Sequence, residues 1–398
     1  MKIIHTSDWH LGQEFYSYDR SEEHESFLRQ LCDIIQTEQP DALVVSGDIY
    51  HNATPSNAVM RLFTDHLDAI RQACPGMQVV VIAGNHDSAS RLEISSAVWK
   101  HLGVHIIGRF ERDEDGNINF DRHIIPIAEK GYIVSIPHVF PQNYPLLEEY
   151  TPREERQSRF LQAMNQRVNE INREERPVVV AAHWAISGSD MTGHDLTRGN
   201  MDYTNIHDIG IGFDYLALGH IHCPQNIDNG RARYCGTPIP VSFDENYPHS
   251  VSVVTLSASN GKPDIRTINI DNPWPLHTLP KEAVTFDEAM EALSALPDDR
   301  KQYIRLHVKI EQTAPPNAME RAHAILKDKA ARFCCFKWQR KEKEETDHAY
   351  TLDVEQIKQL SPIEVAELYF QDEYGEKMES TLKEMLQEVI RKVEQNNL

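Results

Sequence analysis

Asp, Asn and His side chains recur in short clusters along the first part of the chain, at spacings that let several of them reach one ion. In Asp8-x-His10 and His220-x-His222, residues two apart point to the same side of an extended or turning backbone. The candidate metal ligands are Asp8, His10, Asp48, Asn85, His183, His220 and His222. Nitrogen and oxygen ligands without thiolates suit Mn²⁺, Fe²⁺ or Zn²⁺ better than Ca²⁺. The set is too large for one ion and suits two ions, ~3.5–4 Å apart, that share a carboxylate and cleave phosphate esters.

Each cluster taken alone also has an ordinary structural explanation. Asp8 and His10 suit a polar surface turn, and Asp48 after a glycine suits an Asx turn or a helix cap. A lone histidine at a strand end, such as His183, is more often hydrogen-bonded structure than a ligand. Five successive clusters of the same kind nevertheless favour chemistry over structure.

The sequence "GNHDS" (84–88) follows the apolar run "MQVVVIA", and its adjacent residues are expected to have different roles. Asn85 offers a neutral carbonyl oxygen to a metal, and His86 offers an imidazole to a substrate. Asp87 is expected to orient that ring, as carboxylates behind functional histidines do.

Five short apolar runs precede these clusters and must position them. The runs are "KIIHT", "DALVVSG", "QVVVIAG", "PVVVAA" and "FDYLALG", and each reads as a strand buried on both faces. Helical stripes lie between the first three runs, at 27–35 and 59–70. Thr54 is the expected N-cap of the second helix, with Pro55 at its first position. Alternating strands and helices predict an α/β sheet that binds ligands beyond its strand ends.

The pattern changes after residue 250. "SVSVVTL" and "DIRTINI" predict further strands, and the proline-rich residues 271–280 predict a linker. Residues 276–340 then predict a small α+β domain. Residues 339–347 are charged, and residues 361–398 predict two amphipathic helices.

Composition restricts the class of protein. A chain of 398 residues with 40% apolar residues can form two or three domains, and no window is apolar enough to span a membrane. From the start "MKIIHTSDWH" we expect no signal peptide, and the scattered cysteines predict a cytoplasmic protein with reduced thiols. The net charge of −21 counts against a polyanion substrate.

These motifs, in this order, resemble the calcineurin-like metallophosphoesterase superfamily. Within it, "HTSDWHLGQ", "SGDIYH", "AGNHDS", "LGHIHCPQ" and "YCGTPIPVSFDE" resemble the SbcCD-type nucleases, bacterial relatives of the meiotic-recombination nucleases. The resemblance is strong to about residue 255. It implies a β-sandwich flanked by helices over 1–272, a capping α+β domain over 276–340, and C-terminal helices over 355–398.

The resemblance also implies a role for each site residue. One metal would be held by Asp8, His10, Asp48 and His222, and the second by Asp48, Asn85, His183 and His220. His86 would be the catalytic histidine, with Asp87 behind it. Many phosphatases of the superfamily carry Asp three residues after the shared carboxylate. This chain has His51 there, as the recombination nucleases do, and His51 is expected to contact substrate.

The activity implied is that of a DNA nuclease in repair, recombination and replication: a 3′→5′ double-strand exonuclease and an endonuclease that opens hairpins, with two Mn²⁺ ions. The implied partner is an SbcC-type coiled-coil ATPase gripped by residues 355–398. A homodimer within a heterotetramer would form through the 55–70 stripe and the helix containing Leu92, Val98 and Trp99. Arg20 and the region of Arg198 are either DNA contacts or ordinary surface charges.

Two alternatives remain open. The first is a small-molecule phosphodiesterase or phosphatase, which could use the same metal site. The negative charge of the chain favours this alternative, and the additional segments after residue 275 argue against it, because an enzyme with a small substrate does not need them. The second alternative is a non-catalytic scaffold protein, and the complete set of candidate metal ligands argues against it.

Overall fold

The structure is a computed structural model. It describes residues 1–113, 115–147, 151–192, 203–206, 209–210, 212–257, 261–310 and 315–340, together with a few positions between 363 and 386. Residues 1–309 and 313–338 form one compact unit, and residues 310–312 and 339–398 form a second. The predicted charged link and C-terminal helices lie largely outside the described residues, so those predictions and the domain boundaries stay predictions.

The strands belong to two large sheets, one small sheet and short pairs. In chain order they are β1 (Lys2–Thr6), β2 (Glu14–Phe15), β3 (Tyr18–Asp19), β4 (Ala42–Ser46), β5 (Gln78–Ile82), β6 (Val104–Ile107), β7 (Ile124–Pro126), β8 (Tyr132–Ile136), β9 (Val178–His183), β10 (Ala185–Ile186), β11 (Tyr203–Thr204), β12 (Tyr215–Gly219), β13 (Gln225–Ile227), β14 (Ala232–Tyr234), β15 (Ser250–Thr255), β16 (Asp264–Asn269), β17 (Leu276–Val284), β18 (Tyr303–Ile310) and β19 (Arg332–Arg340).

Two six-stranded sheets pack face to face. The first has the order β16-β15-β1-β4-β5-β6, and the second has the order β13-β14-β12-β9-β8-β7. Strands β1, β4, β5 and β6 are parallel neighbours, as are β8, β9, β12 and β14. A shared core of apolar side chains from both sheets, including Val44, Val80, Val179 and Ala217, lies between them. Alternate residues of the same strands, such as Leu43 and Val45, face outward into a second core, which explains why these strands are apolar throughout.

Helices cover the outer faces of both sheets. In chain order the helices of the described residues are α1 (Ser21–Glu38), α2 (Asn57–Ala73), α3 (Ala89–Leu92), α4 (Ser96–Lys100), α5 (Arg156–Ile171), α6 (Phe286–Ser294) and α7 (Ala318–Leu326), of which α6 and α7 pack on the small sheet instead. Side chains of α1 and α2 pack on the first sheet and those of α5 on the second. The predicted β-sandwich flanked by helices is therefore confirmed.

A separate core belongs to the small three-stranded sheet β17-β18-β19. Apolar side chains of α6 and α7, such as Leu293 and Ala322, pack on Ile304, Leu306 and Val308 of β18. This is the α+β arrangement expected after residue 276.

Two local predictions are wrong. Helix α2 begins at Asn57, because the side chain of Ser56, and not that of Thr54, accepts the hydrogen bond of the Val59 N–H. Residues 276–280 are not linker but the start of β17, which pairs with β18 from Leu276 onward. The prolines in this region mark the edge of a sheet, where a missing N–H is tolerated.

No helix in the described part of the chain is long and apolar enough to cross a membrane.

Candidate metal centre

The five strands β1, β4, β5, β9 and β12 end at one place, and each delivers candidate ligands there. Their carboxyl ends meet because the strands are parallel within each sheet and the two sheets are packed together. The seven predicted ligands come together at this edge, as do His51, His86 and Asp87.

The backbone of this region adopts a conformation that ordinary residues rarely take. The φ angles of Asp8, His10, Asp48 and His220 are 53°, 45°, 53° and 95°. Positive φ at a non-glycine residue costs of order 1–3 kcal/mol and accumulates at functional sites. The cost falls on four of the seven predicted ligands, which supports function over ordinary turn structure.

Asp8, His10 and His222 form the first group of possible ligands. One ligand atom from each lies within 4.8 Å of the others. The Nε2 atoms of His10 and His222 face each other at 3.3 Å. Two nitrogens bound to one ion at ~2.1 Å are separated by roughly 3–3.4 Å, so this pair already has a spacing suited to a shared cation.

Asp48 lies between this group and a second one. Its Oδ2 is 3.8 Å from His10 Nε2 and 3.5 Å from His183 Nε2. On the second side, Asn85 Oδ1 is 2.9 Å from both His183 Nε2 and His220 Nδ1. A carboxylate in this position can contribute one oxygen to each of two ions.

Two glycines allow this close approach. A Cβ atom on Gly84 would collide with the backbone and carboxylate of Asp48, and one on Gly47 would collide with the ring of His183. Gly47 also has a φ of 93°. The predicted role of Gly47, to let another group approach the backbone, is confirmed.

The electrostatics of the buried residues favour a cation. Asp8, Asp48 and His183 are no more than 2% exposed. Burial alone lowers the pKa of His183, but the charges of Asp48 and Asp8 and a hydrogen bond to Asp48 outweigh it and raise the pKa to about 9. A site that draws a proton onto a buried ring is a site where positive charge is stabilised.

His86 lies at the open side of the centre, and its ring is held differently from our expectation. Its Nδ1 is 2.6 Å from the main-chain oxygen of His51. The Asp87 carboxylate instead accepts the backbone N–H groups of Ile49, Tyr50 and Gly84. Asp87 therefore holds the backbone of two ligand loops, and the prediction that it orients the His86 ring is wrong. The sequence could not show this, because the acceptor is a carbonyl.

His51 is close enough to take part. Its ring centroid is 5.6 Å from that of His10 and 5.7 Å from that of His86, and one nitrogen of each of the three rings lies within 4.8 Å of the others.

Two residues near the centre were missed. His138 follows β8, and its Nδ1 is 3.1 Å from the main-chain oxygen of His183 while its ring lies over that of His220. The sequence does carry a signal for it, because "YIVSIPH" is a further apolar run that ends in histidine. Glu245 accepts a hydrogen bond from His222 Nδ1 at 3.1 Å. It is the last residue of the motif "YCGTPIPVSFDE", which marked the position without giving it a role.

The predictions for residues away from the metal centre, which concern DNA contacts and a dimer interface, agree less well with the structure. Arg20 is 1% exposed and pairs with Glu23 at 3.0 Å, so it is neither a DNA contact nor a surface charge. The region of Arg198 lies outside the described residues. Phe63, Leu67 and Ile70 of the 55–70 stripe are buried in the chain's own core, which removes them from a dimer interface.

The chain was compared with known protein families and with solved structures. Residues 1–224 match the family model of calcineurin-like phosphoesterases, and residues 273–374 match the model of the Type 5 capsule protein repressor C-terminal domain. Two solved structures, of TT1561 from Thermus thermophilus and of a dimetal phosphatase from Danio rerio, each overlap 68% of this chain and 99% of their own, with TM-scores of 0.39 and 0.37 and identities of 11% and 14%.

Curated proteins named as the D subunit of nuclease SbcCD are similar over most of their length. The protein of Rhodobacter capsulatus is 33% identical over 318 residues, which cover 75% of this chain and 77% of the relative. The protein of Escherichia coli K12 is 30% identical over 318 residues, covering 73% and 74%. The chain therefore belongs to the calcineurin-like phosphoesterase family and, within it, to the family of D subunits of SbcCD nucleases.

Proposed function

We propose that this chain is the DNA nuclease subunit of an SbcCD-type complex and hydrolyses phosphodiester bonds with two divalent metal ions, Mn²⁺ in the cell. The observation that carries the proposal is the position of the Asp48 carboxylate between two groups of nitrogen and oxygen donors. One ion would be held by Asp8, His10, Asp48 and His222, and the other by Asp48, Asn85, His183 and His220.

When bound, two such ions supply an activated water and neutralise charge on the phosphoryl oxygens. The chain itself contributes the His86 imidazole. With Nδ1–H donating to the His51 carbonyl, Nε2 is the ring atom available to a substrate. A protonated Nε2 would stabilise charge on the phosphate or give its proton to the leaving oxygen, a contribution worth ~10²–10⁴-fold.

Asp87 and His51 support this reaction from two sides. By binding the N–H groups of Ile49, Tyr50 and Gly84, Asp87 ties the loop after Asp48 to the loop that carries His86. His51 aligns the His86 ring through its carbonyl, and its own imidazole would face the substrate.

The expected products follow the family. We propose 3′→5′ exonuclease activity on double strands and endonuclease activity that opens hairpins, in DNA repair, recombination and replication in the cytoplasm. The charge of −21 remains the main argument against DNA, and it is reconciled if a partner supplies most of the DNA-binding surface.

Cleavage of two substrates distinguishes this proposal from its main alternative. The purified chain with Mn²⁺ should cut a short DNA hairpin far faster than a chromogenic phosphodiester. Equal or exclusive activity on the small ester would favour the small-molecule phosphodiesterase, and no metal-dependent cleavage of either would favour the scaffold.

The partner is proposed to be an SbcC-type coiled-coil ATPase bound by residues 355–398, with two copies of each chain in the complex. Deleting residues 355–398 should abolish co-purification with the ATPase and leave Mn²⁺-dependent cleavage by the isolated chain intact. Unchanged binding of the partner by the truncated chain would reject this role.

A further inference from the structure

Glu245 lies behind the first group of ligands, in the irregular segment between β14 and β15. Its side chain is fully excluded from solvent, yet it is a carboxylate. Oε1 faces His222 Nδ1 at 3.1 Å. Oε2 accepts the Thr237 hydroxyl at 3.0 Å and the Val241 N–H at 3.1 Å. A buried carboxylate is costly unless its oxygens are satisfied, and here His222 supplies the partner of one of them.

The two bonds to Oε2 come from the same segment as Glu245 and are independent of His222. They fix the carboxylate in place and leave Oε1 directed at the His222 ring. With Nδ1–H donating to Oε1, the lone pair of His222 lies on Nε2, which faces His10 Nε2 at 3.3 Å. The contact thus selects the tautomer and ring orientation that a metal ligand needs.

We propose that Glu245 is a positioning residue that sets His222 for metal binding at the site shared with Asp8 and His10. The inference rests on the proposed function, because it needs that site to hold an ion. The inference extends the proposed function, because it gives a specific role to Glu245, which is not one of the proposed metal ligands.

The substitution Glu245→Gln tests the tautomer argument closely. Gln has one acceptor oxygen, which the Thr237 hydroxyl and Val241 N–H require, so its amide N–H₂ would face His222 Nδ1. That reverses the direction of the hydrogen bond and moves the ring proton to Nε2, where it blocks metal binding. We expect titration calorimetry with Mn²⁺ to show one of two sites weakened by ~10–100-fold and the other unchanged. Turnover should return to the wild-type value at saturating Mn²⁺, so the defect lies in the metal requirement.

Asp244→Asn is the matched control. It removes the same charge one residue away, and its carboxylate is 61% exposed and pairs with Arg305 instead of the metal centre. Its Mn²⁺ affinities should equal those of the wild type.

A double-mutant cycle separates positioning from simple packing. In a His222→Ala background, Glu245→Gln should cause no further loss of affinity, since the ring it positions is gone. An added loss of tenfold or more there, or unchanged affinities in the single variant, would overturn the proposal. If the Gln variant does not fold, Glu245→Asp decides instead: weakening of the same single site supports positioning, and wild-type affinity at both sites refutes it. A wild-type chain that binds no Mn²⁺ would reject the proposed function itself.

Discussion

The metal centre has a buried floor, formed by Asp8, Asp48 and His183, and a more open rim, formed by His51, Asn85 and His86. The floor residues are no more than 2% exposed and lie at the end of a strand (His183) or two residues beyond one (Asp8 and Asp48) in the two packed sheets. The rim is half-buried to exposed, and His86 is held by the main-chain oxygen of a neighbouring loop. The rigid sheets thus fix the groups that would bind metal, while loops position the group that would meet the substrate. We therefore expect metal loss from changes in the floor and turnover loss from a change at His86 in the rim, whereas Asn85 is a proposed ligand and its loss should weaken one metal.

The largest effect is expected from Asp48→Ala in the floor. The Asp48 carboxylate lies between both groups of ligands, so its loss should remove both ions and with them nearly all cleavage. Metal affinity should fall by more than the ~10–100-fold typical of a residue behind the ligands. Elemental analysis after gel filtration measures this. Asp65→Ala, an exposed carboxylate on α2, is the control. Two ions retained by the Asp48 variant would disprove the shared role.

His86→Ala in the rim should give the next largest effect. His86 is not a predicted metal ligand, so both ions should stay bound when its ring is removed. The Nε2 atom that would face the substrate is lost, so turnover at saturating Mn²⁺ should fall by ~10²–10⁴-fold. Calorimetry and single-turnover cleavage of the hairpin report these two quantities separately. His101→Ala, an exposed histidine after α4, should behave as wild type. If His86→Ala instead loses metal and keeps its turnover, His86 belongs with the metal-binding residues and the assignment of roles to floor and rim is wrong.

The floor was predictable from sequence for a physical reason. Continuous β-branched runs specify strands buried on both faces, and within one sheet parallel strands bring their carboxyl ends to one edge. The packing of two such sheets, which brings the two edges together, was implied by the family resemblance and not by the runs. Asp48 and His183 are 135 positions apart in the chain and follow or end strands of different sheets, yet the packing of the two sheets places them 3.5 Å apart.

The contacts of the rim and of the outlying residues were less predictable from sequence, because contacts between loops leave no regular pattern in the local sequence. The acceptor for the His86 ring is a backbone carbonyl, which every residue carries. Glu245 reaches His222 from a segment without regular structure, and its burial depends on how that segment folds. Ser56 in place of Thr54 as the cap of α2 is a smaller example, since both residues can cap a helix.

A smaller, graded effect is expected from pH and belongs to the floor. His183 must be neutral to bind a metal, and its neighbours raise its pKa to about 9, so a proton competes with the ion below that pH. Apparent Mn²⁺ affinity at this site should therefore rise by up to ~10-fold per unit from about pH 7 to 8.5. Calorimetry in two buffers of different ionisation enthalpy counts the proton released. An affinity independent of pH, with no proton released, would contradict the electrostatic account.

Asp87 lies beneath the rim and gives the finest test of the comparison. Its Oδ2 accepts the N–H groups of Ile49 at 3.1 Å and Gly84 at 2.9 Å, and its Oδ1 accepts that of Tyr50 at 2.9 Å. Asn at this position has a single acceptor oxygen, so one backbone N–H would face an amide N–H₂ and lose its partner.

Asp87→Asn should therefore act mainly on stability. Leaving one buried N–H unsatisfied costs ~1–3 kcal/mol of the free energy of unfolding, which urea denaturation measures against the exposed control Asp68→Asn. Turnover at saturating Mn²⁺ should fall much less than the ~10²–10⁴-fold expected for His86→Ala, because the His51 carbonyl still holds the ring. If turnover of Asp87→Asn instead falls as far as that of His86→Ala while stability and metal content stay unchanged, Asp87 acts on the catalytic ring after all. The division between a metal-binding floor and a loop-held rim would then have to be redrawn.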